Sequence, residues 1–178
     1  TSKERFLAHH VPTPRYELVA EYDSPAEVAG RVAHLGYPLI VKPDMQGSSI
    51  GVAIADDCVD LPRALALAQT FGGPCLAEQL IAGREFTVAV LDDVLLPTIE
   101  IVSPEGVFSY DAKYHSSLTE YKFDFELPDR EQQAIRTAAL AATRALGTAG
   151  LVRVDVMLGG DGRAWVLEVN TIPGMTVR

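Results

Sequence analysis

Two spacings of apolar residues alternate along this chain, one near two residues and one near 3.6. The first marks half-buried strands and the second amphipathic helices. Residues 2–10 have helical spacing, and VPTP (11–14) stops that helix. YELV (16–19) reads as a strand. SPAEVAGRVAHLG (24–36) is a helix with its signals in place: Ser24 caps it, Pro25 stands in the first turn, Glu27 completes a capping box and Gly36 ends it. Its apolar stripe is Val28, Val32 and Leu35. LIVKP (39–43) is a buried-type strand, DMQGSSIG (44–51) a loop and VAIA (52–55) a returning strand. Another helix covers 60–70. CLAEQLI (75–81), EFTVAVL (85–91), LLPTIEIV (95–102) and VFSY (107–110) read as strands, and 111–128 as one long loop. A long Ala-rich helix follows at 129–147, capped by Asp129 and stopped at Gly147, before two last strands at 150–158 and 163–170. Antiparallel strands mixed with helices predict an α+β fold. The chain divides near Gly83 into a smaller lobe, residues 1–83, and a larger one, residues 84–178.

The last two strands carry the densest chemistry. DVMLGGDGRAWVLEVN contains Asp161-Gly162, a two-residue hairpin signal. With that turn Gly160 pairs with Arg163, Asp155 lies opposite Glu168, and Arg153 lies opposite Asn170. Those four polar side chains then share one face, while Val152, Val154, Val156, Trp165, Leu167 and Val169 form a core face. A four-residue loop keeps the four together; a three-residue loop separates them. Directly opposed carboxylates repel, and a hard divalent cation reverses the sign of that interaction. Mg²⁺ accepts carboxylate and amide oxygens, keeps waters and completes its shell with substrate phosphates. Arg153 fits the same picture as a fixed cation beside a transferring phosphoryl group. The hairpin alone leaves a second reading open, an ordinary solvated sheet face on which an arginine neutralises its acidic neighbours.

VKPDMQGSSIGV (41–52) is the second constellation. Lys42 lies in an apolar strand and Pro43 keeps it extended. Gly47-Ser48-Ser49-Ile50-Gly51 then lets backbone N–H groups turn toward an anion, with hydroxyl donors added. No lysine follows the second glycine, so this is not a Walker A loop. By itself the motif is weak, and a glycine-containing hairpin with polar tips stays open as the plain reading. A strand lysine and a glycine-rich flap in one lobe, with a metal-type hairpin in the other, are the parts phosphoryl transfer requires.

Composition narrows the picture without redirecting it. The 178 residues are 48% hydrophobic and 22% charged, ordinary for a globular chain, and the net charge is −9. That balance disfavours nucleic acid, which wants a basic stripe. No apolar run reaches the length of a membrane span and no signal peptide is visible. Cys58 and Cys75 have no metal or redox spacing and read as packing residues in a reducing compartment. His9, His10, His34 and His115 form no ligand pattern.

The ordered set LGYPLIVKPDMQGSSIGV, EQLIAGREFTVAVL, DAKYHSS, VRVDVML and LEVNTIPGMT resembles the ATP-grasp part of the D-alanine–D-alanine ligase family, over nearly the whole chain. The resemblance implies an ATP-grasp fold of two lobes with ATP between them. It implies that Lys42 meets the phosphates under a flap bearing Ser48 and Ser49. Glu78, Gln79, Leu80 and Ile81 match the stretch that meets adenine and ribose, with Gln79 where the family often has lysine. Glu85 matches the ribose-binding carboxylate, and Lys113 and Tyr114 the Lys-Tyr pair of the loop that closes the site. Asp155, Glu168 and Asn170 match the ligands of two Mg²⁺ ions, for which Mn²⁺ can stand in. Arg153 and the backbone N–H of Gly174 match the site that stabilises the tetrahedral intermediate. The implied reaction makes D-alanyl-D-alanine for peptidoglycan from two D-alanines and ATP, in the cytoplasm, in a ligase that is expected to be a homodimer.

The ends depart from the family pattern. A full ligase has a preceding domain with a glutamate for the first D-alanine and a further nucleotide-site lysine; Ser2-Lys3 match the end of that lysine's motif, so Lys3 is not expected to be a nucleotide ligand. The family continues past Arg178 with Ser-Leu. The chain is therefore expected to be a piece of a ligase, inactive alone. Three alternatives stay in view: another ATP-grasp carboxylate–amine ligase, a D-alanine–D-lactate ligase, which lacks the Lys-Tyr pair, and a nucleotide-binding module without catalysis.

Overall fold

Ser24 and Glu27 start a helix as their spacing requires: the Ser24 hydroxyl accepts the Glu27 N–H at 3.4 Å, and the Glu27 carboxylate accepts the Ser24 N–H at 3.0 Å. This helix belongs to one of two compact units in the computed structural model, which describes residues 1–47, 49–103 and 119–173. Pro14–Leu80 forms that unit. Its strands are β1 (Tyr16–Val19), β2 (Leu39–Pro43), β3 (Ala53–Ala55) and β4 (Cys75–Gln79), in the order β1-β4-β2-β3, all antiparallel. Helices α2 (Pro25–Val32) and α3 (Leu61–Gln69) cover one sheet face. Val28 and Val32 of α2 and Leu61 and Leu65 of α3 pack there on Val19, Leu39, Val41 and Ala77. Cys75 shares this core, whereas Cys58 is exposed and does not pack as expected.

The second unit comprises Thr1–Thr13, Ile81–Val102 and the described residues from Glu120 onward. Its sheet runs β7-β6-β5-β8-β9, with β5 (Gly83–Leu91), β6 (Val94–Val102), β7 (Glu120–Lys122), β8 (Leu151–Gly159) and β9 (Ala164–Asn170). Helix α4 (Asp129–Leu146) buries Ile135, Ala139 and Ala142 against Phe86, Val88, Val154 and Val156. The units divide at residues 13/14 and 80/81, so the first thirteen residues group with the five-stranded sheet, away from the strand that follows them. The cause is packing: Phe6 of α1 (Ser2–Ala8) and Val11 are buried in this second core, and Arg5 donates twice to the Ala145 carbonyl at the end of α4.

Three local readings change. Strand β7 lies inside the expected long loop; as a charged, exposed edge strand it has no apolar alternation to betray it. The N-cap of α4 is Pro128, and Asp129 sits in the first turn, where its charge meets the positive end of the helix dipole. The last hairpin has a three-residue loop. Gly159 N–H donates to Arg163 C=O at 2.9 Å, and Gly162, at φ +75°, closes a turn onto Gly159 C=O. Asp-Gly therefore fills the last two loop positions, a turn followed by a left-handed glycine. Near the loop Leu158 pairs with Ala164 and Val156 with Val166, one step off the expected register. A bulge then inserts Leu167, after which Asp155 faces Glu168 and Arg153 faces Asn170. The loop that was expected to separate the four polar residues is cancelled by the bulge. Its trace remains in the core face, where Ala164 and Val166 are buried instead of Trp165 and Leu167. The outer edge of β9 is satisfied at this point: Val166 N–H donates to Pro12 C=O, and the Thr13 hydroxyl donates to Val166 C=O, each at 2.8 Å.

Candidate functional site

In the four-stranded sheet, alternation along β2 buries Leu39, Val41 and Pro43 and turns Ile40 and Lys42 to the other face. Glu78 of β4 is paired with Ile40 on that face. Lys42 Nζ lies 2.8 Å from Glu78 Oε1, and Glu78 is only 2% exposed. The ammonium has three donors, more than one carboxylate oxygen takes, so Lys42 can serve an anion and Glu78 together.

The flap beside β2 is built from two overlapping turns, Ile50 N–H to Gly47 C=O at 3.2 Å and Val52 N–H to Ser49 C=O at 3.4 Å. Ser49 has φ +58° and Gly51 φ +73°. A Cβ on Gly51 would come within 2.5 Å of the Phe71 ring and 2.8 Å of Pro43, so glycine is required there both for conformation and for space. Ser48 lies outside the described residues. Gln79 has the opposite parity to Glu78. Its side chain accepts from Arg15 Nε at 3.2 Å, and its N–H donates to Arg15 C=O. Leu80 N–H donates to Pro38 C=O at 3.3 Å, and Ile81, half-buried, begins the other unit.

In the five-stranded sheet the polar face is assembled from three adjacent strands. β5 contributes Glu85 and Thr87, β8 Arg153 and Asp155, β9 Glu168 and Asn170. Asp155 is at the centre and 4% exposed. Arg153 grips it with Nε on Oδ1 and Nη2 on Oδ2, both at 2.9 Å. Thr87 donates its hydroxyl to Oδ1 at 2.7 Å, and Asn170 donates Nδ2 to Oδ2 at 3.1 Å. The same Asn170 nitrogen reaches Glu168 Oε1 at 3.1 Å. Burial works against the charge of Arg153, but the hydrogen bonds and charge of Asp155, with Glu168 nearby, outweigh it and hold its pKa above the ordinary value. Glu85 is buried two residues along β5 from Thr87. Among the described residues no three of His, Cys, Asp and Glu gather. A cation on this face would therefore rest on two carboxylates and the Asn170 amide. That all-oxygen set suits Mg²⁺, which takes few protein ligands, and not Zn²⁺, which prefers nitrogen and sulfur. The Asn170 N–H₂ now stands between the carboxylates as a donor; turning the amide offers its oxygen in the same place.

Arg153, Asp155, Glu168 and Asn170 thus come together as the sequence pattern implies, and Lys42 meets Glu78 directly. Lys113, Tyr114 and Gly174 lie outside the described residues. Thr87 is not among the residues that the sequence pattern picks out. Its signal is the pair Glu85 and Thr87 at period two in an apolar strand, but its partner Asp155 is visible only once β5 is seen to pair with β8.

Comparison with known proteins gives the family of the chain. Residues 7–178 match the family described as D-ala D-ala ligase C-terminus. The D-alanine–D-alanine ligase of Gloeobacter violaceus is 44% identical across 98% of this chain and 58% of its own length. That of Alcanivorax borkumensis is 49% identical across 98% of this chain and 54% of its own. The crystal structure of the Bacillus anthracis ligase complexed with ATP superposes with a TM-score of 0.81 at 29% identity, covering 98% of this chain and 54% of that one. The chain spans little more than half the length of the relatives it matches. Its fold is α+β of the ATP-grasp type, and the chain belongs to the D-alanine–D-alanine ligase C-terminal family.

Proposed function

We propose that this chain is the ATP-grasp portion of a ligase that joins two D-alanines, at the expense of ATP, into D-alanyl-D-alanine for peptidoglycan in the cytoplasm. The observation that carries the reading is the face formed by Arg153, Asp155, Glu168 and Asn170, in a chain of this family. The carboxylate oxygen of one D-alanine attacks the terminal phosphorus of ATP and ADP leaves. The amine of the second D-alanine attacks the resulting acyl phosphate, and inorganic phosphate leaves as the peptide bond forms. Lys42 and the flap residues Ser48 and Ser49 hold the phosphates. Glu78, Gln79, Leu80 and Ile81 line the adenine and ribose, and Glu85 accepts from the ribose hydroxyls. Lys113 and Tyr114 close over the reactants. Asp155, Glu168 and Asn170 hold Mg²⁺, which when bound neutralises phosphate charge. Arg153, with the Gly174 N–H, stabilises the negative oxygen that develops as the second amine attacks, a role suited to a planar fork of donors.

Phosphate release by the full-length protein tests the reading. With ATP and Mg²⁺ it should depend on D-alanine, and D-lactate should not replace the second D-alanine, because the Lys113-Tyr114 pair belongs to the dipeptide-forming pattern. Release that ignores D-alanine, or none at all from the folded full-length protein, overturns the proposal.

A further inference from the structure

Asp155 is saturated. An ionised carboxylate offers about four lone-pair sites, and four donors fill them: Thr87 Oγ1 and Arg153 Nε on Oδ1, Arg153 Nη2 and Asn170 Nδ2 on Oδ2. To ligate a cation, Asp155 must lose at least one of these contacts. The donors differ in how readily they leave. Arg153 has a long stem with its side chain about one third exposed (34%), so its fork can swing away toward a substrate oxygen. Asn170 need only turn its amide to change from donor to acceptor. Thr87 can do neither. It is 6% exposed, on a strand flanked by β6 and β8, directly paired with Asp155. Its β-branched side chain is stiff at χ1, and against an ionised carboxylate its hydroxyl can only donate.

We infer that Thr87 is a positioning residue for the cation site: it pins Oδ1 of Asp155 and leaves Oδ2, the oxygen held by the two movable donors, to face the ion. This rests on the reading of the face as a cation site. The terminal torsion of an aspartate is broad and roughly two-fold, so an unpinned carboxylate gives up rotational freedom when it ligates. A fixed hydroxyl removes that freedom beforehand. Being neutral, Thr87 does so without the repulsion that a charged orienting group such as Arg153 exerts on an incoming cation. Partners of metal ligands commonly change metal affinity 10–100-fold when lost.

The experiment uses the full-length protein with saturating ADP and titrates Mn²⁺, counting free ion by electron paramagnetic resonance, with urea denaturation alongside. Thr87→Val removes the hydroxyl at nearly constant shape, and Thr87→Ser keeps the hydroxyl and drops the methyl. Mn²⁺ should bind about 10–100-fold more weakly to Thr87→Val and within about threefold of the parent to Thr87→Ser. If Thr87→Val does not fold, Thr87→Ala against Thr87→Ser makes the same one-oxygen comparison. A hydroxyl-free variant that binds Mn²⁺ within about twofold of the parent overturns the positioning role even if it is less stable, since the bond is then only structural. Equal losses in the Ser and Val variants also overturn it, by assigning the effect to the methyl. A parent that binds no Mn²⁺ overturns the cation face itself, a different failure from an unaffected Thr87→Val.

Discussion

Asp155 and Glu168 face each other across β8 and β9, and the Asn170 amide nitrogen bridges them, 3.1 Å from an oxygen of each. Two opposed carboxylates in a half-buried sheet cost stability unless something positive lies between them. Here a neutral N–H₂ and the Arg153 fork supply the compensation, and a divalent cation would supply more.

Glu168→Gln removes the repulsion and one proposed metal ligand together. Without divalent cation, the full-length variant should be as stable as the parent or more so, by up to about 1 kcal/mol. With Mg²⁺ and ATP the parent should gain about 2.7 kcal/mol at a ligand concentration a hundred times Kd, and the variant much less. Thermal melts in the two conditions decide it, and an equal gain in both proteins would remove Glu168 from the metal site.

Arg153→Ala tests the transition-state role. A group that acts on developing charge lowers kcat more than it weakens ground-state binding. The loss should be on the order of 10²–10³-fold in kcat, with ATP affinity changed far less, and Arg153→Lys should not restore the rate because a point charge lacks the planar fork. Steady-state phosphate release beside equilibrium ATP binding separates the two effects. Near-normal turnover in both variants would leave Arg153 as a neutraliser of Asp155 only.

Thr13 is bonded to the far edge of β9, the strand that carries Glu168 and Asn170, the residues proposed to hold the metal. Its hydroxyl receives Lys3 Nζ and donates to Val166 C=O, both at 2.8 Å, immediately before the bulge. Thr13→Val keeps the shape and deletes the bridge, leaving buried polar groups short of a partner, which should cost about 1–3 kcal/mol. Urea denaturation measures the cost. An unchanged midpoint would mean that the Pro12 contact to Val166 N–H holds this edge alone.

Gly51 should resist substitution for two separable reasons. Gly51→Ala places a methyl against Phe71 and Pro43 at a left-handed φ, an expected loss of about 1–3 kcal/mol. Adding Phe71→Ala relieves the crowding and not the backbone conformation. The double variant should therefore recover part of the loss, and a double-mutant cycle on denaturation free energies reads the recovered share as coupling. Zero coupling would assign the whole cost to the backbone.

Local signals in the sequence were enough for most of the described elements and for much of the chemistry. The Ser24–Glu27 capping box, the alternation of LIVKP and the end of α4 at Gly147 are decided by residues within a turn or two of each other. The same period-two logic put Lys42 apart from its apolar neighbours, Arg153 on one face with Asp155, and Glu168 on one face with Asn170. Tertiary structure decided what depends on residues distant in the chain. Glu78 and Lys42 meet because β2 pairs with β4, Thr87 reaches Asp155 because β5 pairs with β8, and α1 joins the five-stranded unit because Phe6 finds its core there. The hairpin shows the division most sharply. Asp161-Gly162 announced a turn but not its length, because a left-handed glycine serves a two-residue loop and a three-residue loop alike. The bulge that restored the register at Glu168 sits where Pro12 and Thr13 take up the outer hydrogen bonds of Val166. Those partners are more than 150 residues away in sequence, so no local pattern in β9 could have announced them.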